Sequence, residues 1–423
     1  MLNPPLSLLS DDLFGYIVDH LAKLPFSNRY LYNLSLADRA FTRFCQAYIF
    51  KDLHLGYGSG IRNVISCKLE TMNKILNDEP SFANRVRMVK LTISDKLNVW
   101  LFNDLTFISI VQLLANSFTP PHKLHLSGIE QSFIIQDPIL VVEWLTQSFF
   151  SQTLTVLHLT QCKDVPLTLF LICPKLREIL LDEVTVIKNY DKYPDKQCSG
   201  RELPALEYLD YRNSEGLVNQ MITPPPGFNT AVVIWSKLRV LKLCPQEKEE
   251  LACLQPILDI ACNTLEELYL TNQRVDVEQL SLSGLVDLRD LSYLHVFALY
   301  AIIKCDVPES AVVRDINLVL STIPTSNKIR NLSFDFTICG GEYPFGECLK
   351  EDWVGLCNEV VRISAGKPLN LNLKTSVRSP ILKIIYPLPG KDELYKRITE
   401  RILSLSDHPN ICTRFRHPAR SET

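Results

Sequence analysis

Residues 238–243 read Leu238-Arg239-Val240-Leu241-Lys242-Leu243, and residues 265–270 read Leu265-Glu266-Glu267-Leu268-Tyr269-Leu270. The spacing Leu-x-x-Leu-x-Leu recurs along the chain. Leu154, Leu157 and Leu159 form one copy; Leu176, Ile179 and Leu181 another; Leu206, Leu209 and Tyr211 a third. Weaker copies read Leu291, Leu294, Val296 and Ile329, Leu332, Phe334. Val86, Val89, Leu91 and Leu124, Leu126 precede the ladder, and Leu371 with Leu373 closes it. The final x-L-x-L-x has the period of a strand, so its apolar residues share one face and the residues between them the other. A short strand repeated with helical stretches between copies predicts parallel strands stacked repeat on repeat.

Counted between the last apolar positions, successive copies lie 22 to 38 residues apart, from Leu159 to Leu181 at one extreme and Val296 to Phe334 at the other. Regular leucine-rich repeats run about 20–29 residues. The expected fold is therefore α/β, an irregular leucine-rich-repeat solenoid shaped as a horseshoe with its parallel strands on the concave face. It spans residues 53–405, after a helical module at 5–52 and before a short polar, frayed tail at 406–423. Three loops interrupt it: Lys188–Glu202, Asn213–Asn229 with Pro224-Pro225-Pro226-Gly227, and Cys339–Cys348 with Gly340-Gly341.

The 423 residues are 46% hydrophobic and 22% charged, as in an ordinary folded protein. A net charge of −3 argues against a nucleic-acid binder that relies on bulk positive charge. The 13 cysteines are odd in number and irregularly spaced, with no Cys-x-x-Cys, which points to a reducing compartment. No basic residue precedes Asp11-Asp12, and no apolar run approaches membrane-spanning length. The expected setting is cytoplasmic or nuclear, with neither membrane nor nucleic acid as a partner.

Enzyme chemistry finds no support. Gly56 to Gly60 falls between a strand and a helix, but Ile61 stands where G-x-G-x-x-G needs glycine and no Walker lysine follows, so a plain turn is expected. His122 and His125, three apart in a strand-like segment, face opposite sides and make no zinc pair. Two cysteines, Cys339 and Cys348, do not complete a tetrahedral site. There is no G-x-S-x-G or H-E-x-x-H. No catalytic residue, metal or cofactor is expected, and the chain reads as a non-enzyme.

Residues 5 to about 50 differ from the rest. Leu9, Leu13, Ile17, Leu21 and Leu24 recur at helical spacing, Phe14 and Val18 widen the stripe, and Ser10 is placed to cap and Pro25 to stop the helix. A second helix starts near Ser27 and carries Leu31, Leu34 and Leu36; a third runs from about Asp38 with Phe41, Phe44, Cys45, Tyr48 and Ile49 on one face. Three short helices make a unit that must lean on something larger.

The stretch Leu9-Ser10-Asp11-Asp12-Leu13-Phe14-Gly15-Tyr16-Ile17-Val18-Asp19-His20-Leu21 resembles the opening of an F-box, with Asp12 in place of the usual Glu and Ser10 in place of the usual Pro. Asn33 to Phe41 looks like that motif's second half, after a longer link at Ala22–Leu31. Ile75 to Arg87 is similar to the first repeat junction of fungal F-box/leucine-rich-repeat proteins. The resemblance implies a substrate receptor of a Skp1–cullin–F-box ubiquitin ligase. The helices would dock on a Skp1-type adaptor, and through it on a cullin–RING ligase, using Leu9, Leu13, Ile17, Leu21, Leu34 and Leu36. The repeats would hold an unidentified protein substrate, with the ubiquitin chemistry on other subunits. The alternative is a leucine-rich-repeat scaffold not coupled to a ligase.

Substrate contacts are expected on the ladder's x positions, since the apolar partners fill the core. Those singled out are Tyr208, Arg212, Lys242, Tyr269, Tyr293, His295 and Phe297, tyrosine and arginine being enriched at interface hot spots. His158, Asp182 and Asp210 share such positions.

Overall fold

The computed structural model describes residues 10–24, 27–55, 62–93, 101–128, 133–134, 144–145, 147–186, 202–223, 231–245, 248–272, 280–304, 311–339, 348, 350–378, 391–402, 405 and 407–416. Leu9, the Gly56–Gly60 turn, and most of the loops at Lys188–Glu202 and Cys339–Cys348, as well as Pro224–Gly227, lie outside the described residues. Contacts divide the chain into two compact units, 1–177 with 183–204, and 178–182 with 205–423.

The first unit begins with three helices, α1 (Asp11–Ala22), α2 (Ser27–Ala37) and α3 (Arg39–Ile49). Asp11 and Asp12 occupy the first turn of α1, where the helix dipole favours carboxylates. Asp38 caps α3, its carboxylate accepting the Ala40 N–H at 2.8 Å. Phe14, Val18, Leu31, Phe41 and Cys45 make a small core, with Phe14 and Phe41 edge to face at 4.7 Å. The core residues from α1 are Phe14 and Val18, one position on from the Leu13/Ile17/Leu21 stripe. The bundle leans on the first turns of the repeat region. Phe50 packs on Phe82 at 4.7 Å, and the Lys51 carbonyl accepts the Arg87 N–H at 2.8 Å.

Parallel strands come next. β1 (Asp52–Leu55), β2 (Met88–Ile93) and β3 (Lys123–Gly128) pair in order. After β4 (Phe133–Ile134), β5 (Val156–Thr160) pairs with β3, while β4 and β6 (Cys162–Lys163) form a separate short ladder. In register, Leu53, Val89, Leu124 and Leu157 make one buried row, and Leu55, Leu91, Leu126 and Leu159 a second. Helix α4 (Arg62–Asp78) connects β1 to β2, and a helix at Leu105–Ala115 connects β2 to β3. The latter buries Phe107, Ile110, Val111 and Leu114. Fully burying each such side chain contributes roughly 1.5–3 kcal/mol.

The second unit repeats the scheme with eight parallel strands in sequence order. They are β7 (Glu178–Asp182), β8 (Tyr208–Arg212), β9 (Val240–Cys244), β10 (Glu267–Asn272), β11 (Val296–Lys304), β12 (Asn331–Cys339), β13 (Leu369–Arg378) and β14 (Ile411–Arg416). Ile179, Leu209, Leu241 and Leu268 stand in register and fully buried, as the ladder requires. The residues that leave β5, β7 and β8, namely Gln161, Glu183 and Asn213, all take positive φ (54°, 56° and 48°). That left-handed step is uncommon outside glycine, and its recurrence marks one turn reused in successive repeats.

Two sequence expectations need correction. The copy at Leu291, Leu294, Val296 is out by three residues. Phe297 pairs with Leu268 and Leu299 with Leu270, so the true triplet is Leu294, Phe297, Leu299. The strands also continue into the stretch read as a frayed polar tail. Ile411–Arg416 pairs with β13, its residues alternating inward and outward as an edge strand does.

Candidate interaction surfaces

On the three-helix module the structure separates residues that periodicity grouped. Ile17, Leu21 and Leu34 are half-buried and pack on the module's own core. Leu13 is 41% exposed and Leu36 69% exposed. Tyr16, Leu24, Tyr30 and Tyr32 are also exposed large apolar side chains of α1, α2 and the link between them. Six large apolar side chains of α1, α2 and their link thus stand in water, while the five-residue core is drawn from all three helices.

On the second unit, the outward residues between the apolar rows form a face with its own chemistry. The Lys242 ammonium lies over two tyrosine rings, 5.3 Å from that of Tyr208 and 4.8 Å from that of Tyr269. The Tyr208 hydroxyl donates to Asp210 at 3.2 Å and the Tyr269 hydroxyl to Glu267 at 2.7 Å. Arg212 grips Asp182 with two bonds, 2.7 and 3.0 Å. Lys374 pairs with Asp335 at 2.6 Å, and hydroxyls of Tyr300, Thr337 and Ser376 form a chain across β11, β12 and β13. Burial, with the Glu267 hydrogen bond behind it, pushes the Tyr269 phenol up to about 12. Burial and the Asp210 carboxylate raise that of Tyr208 further.

The seven predicted substrate-contact residues do not all meet. Tyr208, Arg212, Lys242 and Tyr269 share this face. Tyr208 aligns with Val240 and Glu267, however, and Tyr269 with Lys242 and Ala298, so the two tyrosines stand in different rows. Tyr293 and His295 precede β11; Tyr293 is exposed beneath Lys328, whose ammonium is 3.8 Å from its ring centroid. Phe297 is 1% exposed and belongs to the core, because the register shift that moved the triplet turned it inward. It is not a contact residue.

Spacing set His122 beside His125 and put His158 among the outward positions, but the strand register aligns a different set. His54, Lys90, His125 and His158 are register partners on four neighbouring strands. The signal was in the chain: each sits between the two apolar residues of its copy, as in Leu53-His54-Leu55 and Leu124-His125-Leu126. His122 lies outside β3, and His125 bonds the Thr160 hydroxyl rather than facing it. Cys339 and Cys348 remain thiols. Among the described residues no group of three or more metal-ligating side chains converges, and no helix is long and apolar enough to cross a membrane.

No protein-family model matches the chain, and no curated protein is found to be similar to it.

Proposed function

We propose that this chain is the substrate receptor of a Skp1–cullin–F-box type ubiquitin ligase, a leucine-rich-repeat solenoid with an F-box-like module at its head. The observation that carries the reading is the order of parts. Three helices with a minimal core and exposed Leu13 and Leu36 run directly into a series of parallel strands with leucine rows. The chain acts by positioning rather than by chemistry. Helices α1 and α2 hold the Skp1-type adaptor, the outward strand faces hold a protein substrate, and tethering raises the substrate's effective concentration near the ubiquitin donor. The cytoplasm or nucleus is where such a ligase works.

The test uses exposed positions, since charging half-buried Ile17 or Leu21 would unfold the module itself. Leu13→Glu with Leu36→Glu should reduce co-purification of a Skp1-type adaptor by roughly tenfold or more, each buried apolar contact being worth on the order of 1 kcal/mol. The far-UV circular dichroism should be unchanged. Full adaptor recovery by the double variant, or no adaptor recovery by the native chain, would remove the ligase assignment.

A further inference from the structure

Four strands of the first unit carry a basic residue at one register position. His54, Lys90, His125 and His158 follow one another across β1, β2, β3 and β5, at a strand spacing of about 4.8 Å. The rings of His125 and His158 stack with centroids 3.9 Å apart and planes 12° from parallel. The Thr160 hydroxyl sits 3.2 Å from Nε2 of His125 and 3.1 Å from Nε2 of His158. It has one proton, so it donates to one imidazole at most and accepts from the other.

Beside this row on the same face runs a row of hydroxyls, Thr92, Ser127 and Thr160, in which Ser127 bonds Thr92 at 3.1 Å. On its other side run Asp52, Met88, Lys123 and Val156. Asp52, on the first strand, is the single carboxylate in the three rows. Among the described residues, neither the Lys90 ammonium nor the His54 imidazole has a hydrogen bond or ion pair. The fixed charges of the three rows are the ammonium groups of Lys90 and Lys123 against the one carboxylate of Asp52, and the Lys90 ammonium has none of its own beside it. That is the pattern of a surface whose counter-charge arrives with a ligand.

We infer that this face binds an acidic segment of a partner polypeptide, a carboxylate being held by Lys90 and the His125–His158 pair, with the hydroxyl row beside it. Carboxylate fits better than phosphate. The rows contain lysine and histidine but no arginine, the side chain whose rigid fork matches a phosphate dianion. Burial, followed by the charges of His158, Lys90 and His54, holds His125 down to about 3. Desolvation is the larger cause and an incoming anion does not relieve it, so His125 meets the ligand as a neutral hydrogen-bonding ring and Lys90 supplies the charge. The inference concerns the first unit's strands and stands apart from the adaptor reading; loss of adaptor capture leaves it untouched.

The experiment is fluorescence anisotropy of a labelled oligoglutamate peptide with the full chain at low ionic strength. Saturable binding should weaken by roughly tenfold as the ionic strength is raised to about 0.15 M. Lys90→Met should abolish it, and His158→Gln should weaken it. Lys374→Met, in the other unit, should leave it unchanged. Thermal unfolding of each variant separates loss of binding from loss of fold. The inference is overturned by absence of saturable binding, by affinity independent of ionic strength, or by retention in Lys90→Met. Much tighter binding of a matched phosphoserine peptide would make the face a phosphate site instead. Equal competition by a single-stranded oligonucleotide would make it a general polyanion surface.

Discussion

Between its two apolar rows, the first unit presents His54, Lys90, His125 and His158, whereas the second presents Leu180, Asp210, Lys242 and Tyr269 at the corresponding place on β7 to β10. The inward residues are interchangeable: Leu124 and Leu157 do in one unit what Leu209 and Leu241 do in the other. The outward ones are not. In the second unit charge is met within the face, Arg212 by Asp182, Lys374 by Asp335, and Lys242 by two tyrosine rings. In the first unit basic groups adjoin basic groups. A repeat thus fixes backbone and core with one set of positions and leaves the other set to choose a partner. A face that satisfies itself needs less from a partner than one left with a single sign.

What the units share is the easiest part to break. Leu241→Ala and Leu124→Ala each remove a fully buried side chain from the centre of a row, and each should cost about 2–5 kcal/mol through lost burial and the cavity left behind. Urea unfolding of each variant measures this. A loss under about 1 kcal/mol in either would mean that its unit does not rest on the leucine rows.

The rows were legible because apolar periodicity is repeated many times and each copy corrects the others. At β11 that redundancy failed. Leu291-x-x-Leu294-x-Val296 and Leu294-x-x-Phe297-x-Leu299 satisfy the same template and share Leu294. Spacing would have decided between them. With Val296 as the last apolar position the flanking intervals are 26 and 38 residues; with Leu299 they become 29 and 35, closer to their neighbours. β14 was passed over because its outward residues, Cys412, Arg414 and Arg416, make the segment polar in composition while the alternation with Ile411, Thr413 and Phe415 persists. On the helical module, spacing identified a stripe but not its depth. Phe14 and Val18 adjoin that stripe, and only packing shows that they take the core while Leu13 stays in water.

The two faces should also fail at opposite ends of the pH scale. His125 is a base whose folded pKa is depressed to about 3 from 6.5. Its contribution is fully present above about pH 6.5, and is lost as pH falls towards the folded value, at a cost on the order of 2–4 kcal/mol. Tyr269 is an acid whose folded pKa is raised to about 12 from 10. Its contribution is present below about pH 10 and is lost as pH rises towards the folded value, more weakly because the ring is partly solvated. Hydrogen exchange followed strand by strand would therefore show β3 and β5 losing protection first in acid and β9 and β10 first in alkali. His125→Phe should remove the acid sensitivity, and the same order of loss at both extremes would mean that charge on these faces does not govern stability.

The smallest effect is the most discriminating, because it asks one substitution of both faces. Lys242→Met keeps the length and most of the apolar stem but removes an ammonium resting on two aromatic rings, and should cost about 0.5–1 kcal/mol. Lys90→Met removes an ammonium flanked in register by His54 and His125, with no acceptor among the described residues. It should cost no more than a few tenths of a kcal/mol, because no ion pair or hydrogen bond is lost with the ammonium. Paired urea titrations resolve the difference when both are run at one pH and one ionic strength. Equal costs for the two variants would mean that Lys90 is held by contacts like those around Lys242, and would remove the argument that the first unit's face is kept for something other than its own stability.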